Sequence, residues 1–314
     1  MELVHGHQVS FEELLNENID ILIAACGSES RSSHLIQLSN FNAYKKIALL
    51  FKERQDLDIL QLNESIFKEK GFECYELSGD SSGEIMAVLD SISEIKKFDS
   101  IKLVVDYSSM TKMWYGTIIN YFAFNELDYK ELIVYFCYTP EHFVPPAARK
   151  KNHPKPEPVF MNRPAINENK PLALVIGLGY DESKAEFLCD FLKPDDVYFF
   201  LPSPSFDDNY TRMARSNNRK ILADVKSNNL ILYSAKNIEE IDSKLTSLCL
   251  NLRLKYRIIL ISLGPKTFSL SSFLLNARYP DLEIWNLSCQ EYSFDLKPSG
   301  LPIVYKAILT NEQD

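Results

Sequence analysis

Four short polar segments interrupt the apolar runs of this 314-residue chain, and each gathers side chains suited to holding a ligand. CGSESRSSH at 26–34 carries Glu29, Arg31, Ser32, Ser33 and His34. DYSSMTKMW at 106–114 carries Asp106, Ser108, Ser109, Thr111 and Lys112. GLGYDESK at 177–184 carries Tyr180 and Asp181, and LGPKTFS at 263–269 carries Gly264, Lys266 and Thr267. Hydroxyls and backbone N–H groups at a strand-to-helix turn face whatever sits on the helix N-terminus, where partial positive charge suits a phosphate or carboxylate. Lys112 and Lys266 add full charges, and Arg31 can grip a phosphate with two parallel hydrogen bonds. Asp106 suits a ribose hydroxyl or a base edge, and Gly264 lets its turn open. Any acid–base step would fall to Asp106, Glu29 or His34. The competing reading is a set of helix caps, with Ser108, Ser109 or Thr111 capping the helix KMWYGTIINYF.

Other chemistries find no support. Gly177 and Gly179 lack the third glycine of a dinucleotide fingerprint, and no acid closes the strand VYFFLPS to hold a ribose. No G-x-S-x-G, H-E-x-x-H or G-K-[ST] segment occurs. His5 and His7 flank a glycine without a third ligand, so no metal site and no bound cofactor are expected. Arg212, Arg215 and Arg219 recur three and four apart, a stripe that suits a phosphate or an acidic partner, or simply solvent.

The elements that must position the four segments follow one plan, written twice. Each half opens with an apolar run, IDILIAAC or LALVIG, and continues through alternating helices and short apolar strands to a fifth strand, ELIVYFCYT or LEIWNLS. Continuous apolar strands between amphipathic helices are what a parallel sheet covered on both faces requires. The fold class expected is therefore α/β, as two tandem Rossmann-like lobes, each a mainly parallel sheet with helices on both faces. Lobe 1 is placed at 1–139 and lobe 2 at 172–314. Eight of the 15 prolines fall in the linker 140–171. LPIVYKAIL at 301–309 reads as one extra strand at a sheet edge. In such sheets ligands bind beyond the carboxyl ends of the strands, where the order reverses, and the loops after strands one and four face that crevice. Those loops are the four polar segments.

Composition sets outer limits. Apolar residues make up 46 % and charged residues 25 %, as in ordinary globular proteins. A net charge of −9 disfavours direct binding to nucleic acid, although the linker run RKKNHPKPEP could touch it. Six scattered cysteines without C-x-x-C read as buried thiols in a reducing compartment. No signal peptide and no membrane-length apolar run is seen, which points to a cytoplasmic protein without membrane contact.

A polar loop after strand one and a hydroxyl-and-lysine loop after strand four resemble the CRISPR-associated Rossmann fold family. SSMTK at 108–112 is similar to that family's T-G-G-T-K segment, with serine and methionine where glycines are usual. The resemblance implies a sensor of cyclic oligoadenylates in bacterial anti-phage defence, binding a phosphorylated nucleotide-type ligand and acting on a protein effector. Tandem lobes would imitate that family's usual dimer. No R-x₄₋₆-H ribonuclease motif or restriction-type nuclease motif accompanies it. KLVVDYSSMTK also resembles the phosphoribosyltransferase loop, lacking its second acid and its glycines. That likeness implies an enzyme transferring a phosphoribosyl or nucleotide group. A third possibility is a degenerate scaffold that binds a protein partner.

Overall fold

The computed structural model describes residues 1–53, 58–93, 100–145, 155–160, 169–287 and 295–311. In chain order the first elements are β1 (Glu2–Val9), α1 (Phe11–Leu15), β2 (Ile21–Cys26), α2 (His34–Leu38), β3 (Lys45–Phe51) and α3 (Asp58–Glu69). They continue with β4 (Glu73–Leu77), α4 (Ser82–Ser93), β5 (Ser100–Asp106), α5 (Lys112–Phe124) and β6 (Glu131–Tyr138). Then come β7 (Pro156–Pro158), β8 (Leu172–Gly177), α6 (Lys184–Leu192), β9 (Asp196–Pro202), α7 (Asp208–Asn217) and α8 (Arg219–Ala223). The last are β10 (Leu230–Tyr233), α9 (Ile238–Leu252), β11 (Arg257–Ser262), α10 (Lys266–Arg278), β12 (Glu283–Leu287) and β13 (Ile303–Thr310).

The protein is α/β, with two mainly parallel sheets flanked by helices. One sheet runs β1-β13-β6-β5-β2-β3-β4 and the other β10-β9-β8-β11-β12-β7. In each, the first and fourth strands of the repeated plan are hydrogen-bonded neighbours: β2 beside β5, and β8 beside β11. The expected switch point is therefore present in both sheets, and the four polar segments lie at the carboxyl ends of those central strands. The central strands are apolar end to end because both faces are covered: all six residues of β2 are buried.

The chain divides into two compact units, Met1–His142 with Tyr292–Asp314, and Phe143–Glu291. We call them lobes 1 and 2. The C-terminal strand was expected in lobe 2, at an edge. Instead β13 lies inside the lobe 1 sheet, antiparallel to β6 on one side and to β1 on the other. Its run IVYKAILT is apolar but for Lys306 and Thr310, so the local pattern does not choose the sheet. β1 then forms the outer edge of lobe 1 and carries His5 and His7, whose rings stack 5.1 Å apart.

Within the expected linker, Pro156–Pro158 pairs with β12 as an outermost, antiparallel strand. An edge is where proline, which cannot donate to the ladder, is tolerated. Most of RKKNHPKPEP, suggested as a nucleic-acid contact, lies outside the described residues.

The helix after each fourth strand packs into its lobe's core. Nine of the 13 residues of α5 are buried and ten of the 13 of α10. Trp114 of α5 stacks on Phe51 at 4.3 Å between centroids, and Phe268 of α10 lies among Phe200 and Tyr233. Each fully buried ring contributes roughly 1.5–3 kcal/mol. These helices are thereby fixed as supports for the loops in front of them.

Candidate functional site

In lobe 1 the strand-end loops are joined by side chains. Asp106 closes β5 and is only 2 % exposed; its Oδ1 accepts from the Ser108 N–H at 3.1 Å and the Ser108 hydroxyl at 2.5 Å. The Ser108 Oγ accepts in turn from the Thr139 N–H at 2.8 Å, tying this loop to the end of β6. Asp106 and Ser108 are thus interior parts of the loop, not open contacts. Ser109 is half-buried and donates to Glu29 Oε1, which joins the loops after β5 and β2. Thr111 is the α5 N-cap, accepting from the Trp114 N–H at 3.2 Å and donating to the Gly79 carbonyl at 2.7 Å. Its hydroxyl is committed, as the capping reading anticipates. Lys112 stands half-buried as the first residue of α5.

The same rim carries acids. Glu53 follows β3 and accepts from the Ser78 hydroxyl and, at 3.3 Å, from the Gly79 N–H. The Ser78 hydrogen bond holds the Glu53 carboxyl below its ordinary range. Asp80 and Glu84 lie nearby, with Lys52 donating to Glu84. Gly79 therefore has the α5 cap on its carbonyl and Glu53 on its N–H. An acid at the end of the second parallel strand is where sheets of this order accept ribose hydroxyls. KE directly after the strand KKIALLF carries this signal in the sequence.

Arg31 is placed otherwise than expected. It is 4 % exposed, with its Nη1 on Glu141 and its Nε 3.2 Å from Glu29 Oε1, an ion-pair contact. Tyr138 Oη lies 3.4 Å from the same Nη1. Burial opposes the guanidinium charge, but Glu141 and Glu29 more than offset this and hold it protonated. With two carboxylates on it, Arg31 is a buried brace and not a phosphate fork. Ser32 is also interior: its Oγ accepts from the Gly27 N–H and donates to the Ala25 carbonyl. The segment 295–300 lies over this loop. Asp295 Oδ1 accepts from the Ser30 N–H at 2.6 Å and the Leu296 carbonyl from the Arg31 N–H at 3.0 Å. His34 Nε2 lies 3.3 Å from the Gly300 carbonyl.

Lobe 2 is built differently at the matching place. The Leu263 N–H donates to the Gly177 carbonyl at 2.7 Å, bringing the two loop backbones together. A Cβ on Gly179 would lie 1.9 Å from the Leu263 carbonyl oxygen, and one on Gly264 would lie 2.3 Å from that of Leu178. A Cβ on Gly177 would lie 2.4 Å from the Phe268 ring. The glycines of GLG and LGP therefore let two loops close on each other; Gly264 does not open its turn. Thr267 is fully buried and donates to the Ala235 carbonyl at 3.0 Å. Asp181 pairs with Lys184 at 2.8 Å, and Lys266 begins α10. Tyr180 packs edge-on with Phe143 and Tyr210.

Among the described residues no cluster of three or more His, Cys, Asp or Glu could hold a metal ion, and no helix is long and apolar enough to cross a membrane. No protein-family model matches the chain, and no curated protein matches it.

Proposed function

We propose that lobe 1 binds a phosphorylated nucleotide at the carboxyl ends of β2, β3 and β5, and that the chain acts as a nucleotide-responsive regulatory protein. The observation that carries this is the contrast between the two switch points. Lobe 1 joins its loops through polar side chains around Lys112, Ser109, Glu29 and Glu53. Lobe 2 presses its own backbone into the same position. Lys112 and the first turn of α5 supply the positive end for a phosphate. Glu53, linked to that end through Gly79, supplies acceptors for a ribose. Arg31, Ser32, Asp106, Ser108 and Thr111 serve as the frame behind these groups. The likeness of SSMTK to the cyclic-oligoadenylate sensors agrees with this choice of ligand and with a role in anti-phage defence through a protein effector.

Titration calorimetry with ATP and with cyclic oligoadenylates is the test. A charged hydrogen bond is worth ~1.5–3 kcal/mol, so Lys112→Ala should weaken binding ~10-fold or more. Absence of binding to all of these ligands, or identical binding by Lys112→Ala, would refute the reading.

A further inference from the structure

On lobe 2 a groove opens beside the loop after β8, where Asn217 donates to the Tyr180 carbonyl. This groove of about 610 Å³ runs along α7, lined by Asn209, Arg212, Met213 and Asn217 of that helix and by Phe143 and Pro145. Pockets of a few hundred cubic ångströms are the usual size for small ligands.

The arginines of the chain single this groove out. Arg31 pairs with Glu29 and Glu141, Arg253 with Asp281, Arg257 with Glu283, and Arg278 with Asp242. Among the described residues, only Arg212, Arg215 and Arg219 have no carboxylate partner, in a chain of net charge −9. α7 ends at Asn217, so Arg219 begins the next helix, and of the three only Arg212 lines the groove. Its Nη2 donates to Asn209 Oδ1 at 2.7 Å, which sets the orientation of the guanidinium. Phe143 is held in place as well: it meets Tyr180 and Tyr210 edge-on at 6.1 and 6.3 Å, and those two rings meet at 5.1 Å.

One oriented guanidinium, a flat apolar wall and side-chain amides beside them match a ligand with a planar body and a single anionic end. We infer that this groove binds a nucleoside monophosphate, its base against Phe143 and Met213 and its phosphate on Arg212. An acidic peptide would use the whole arginine row, whereas Arg215 and Arg219 stand outside the lining.

The inference is independent of the lobe 1 reading, and its test is arranged to keep them apart. Calorimetry with AMP is run on the full chain carrying Lys112→Ala. One molecule should bind, Arg212→Gln and Phe143→Ala should each weaken it by ~10-fold or more, and Arg253→Gln should leave it unchanged. The Arg212→Gln protein should melt like its parent, because the arginine is exposed, and Phe143→Ala, which gives up two ring contacts, should melt lower yet stay folded at the calorimetry temperature. No AMP binding in the Lys112→Ala chain, or binding untouched by Arg212→Gln, overturns the inference. A polyglutamate peptide that binds through Arg212 where AMP does not would overturn it as well, reassigning the groove to acidic peptides.

Discussion

Replacing Arg31 by alanine separates a structural arginine from a ligand-binding one. The guanidinium is 4 % exposed and sits between Glu29 and Glu141, whose side chains are 14 % and 29 % exposed. Removing it leaves two carboxylates without their cation, Glu29 still accepting from Ser109 and Glu141 from Tyr138. Breaking a buried ion pair by deleting one partner costs ~3–5 kcal/mol. The partial exposure of Glu141 lets water take up some of its charge, which favours the lower figure. For a domain of lobe 1's size each kcal/mol moves the midpoint by ~2–4 °C, so ~3 kcal/mol lowers it by ~6–12 °C. Differential scanning calorimetry of Arg31→Ala against the parent measures this directly. Adding Glu141→Gln should recover part of the loss, because it removes one of the unpaired charges. If Arg31→Ala melts like the parent yet no longer binds nucleotide, the brace assignment is wrong and the arginine is a ligand contact.

Gly179→Ala should destabilise lobe 2 by ~1–3 kcal/mol or more, since the added methyl would lie 1.9 Å from a backbone oxygen that can yield only by moving the loop; denaturant melts with a lobe 2 probe check this. Glu17, hydrogen-bonded to Lys102, and Glu84, hydrogen-bonded to Lys52, are both held below the ordinary 4.5. The unfolded chain then binds more protons near that pH, so their contribution is complete above 4.5 and is lost as pH falls through the lower folded values. Thermal midpoints across acid pH should fall less steeply in Glu17→Gln/Glu84→Gln; an unchanged slope would count against these pairs. Among the described cysteines, Cys74 is exposed, while Cys26, Cys137 and Cys249 are buried, with burial raising the Cys249 thiol to about 12. Alkylation followed by mass spectrometry should therefore mark Cys74 before Cys26, Cys137 and Cys249, and rapid native labelling of Cys249 would contradict the packing.

Much of the frame was legible because it rests on local pattern. Runs such as ILIAAC and LALVIG state a strand buried on both faces, and alternation with helices states a parallel sheet. Strand adjacency at the switch point then followed from topology. What the sequence concealed depends on partners far away along the chain. IVYKAILT reads as a strand for any sheet, and its place between β1 and β6 is chosen by tertiary packing. Arg31 looked like a phosphate fork because Glu141, its partner, lies 110 residues further on. Gly179 and Gly264 looked like openings, because nothing local reveals that two loops 85 residues apart meet backbone to backbone. Scattered cysteines without C-x-x-C suggest buried thiols, but Cys74 lies on β4, the outermost strand of its sheet, and is exposed.

The contrast between the lobes is best tested by matched calorimetry of Lys112→Ala and Lys266→Ala with ATP and cyclic oligoadenylates. The two lysines hold equivalent first positions, in α5 and α10. The account predicts that Lys112→Ala weakens binding ~10-fold or more while Lys266→Ala binds like the parent. Equal loss in both variants, or loss in Lys266→Ala alone, would contradict it.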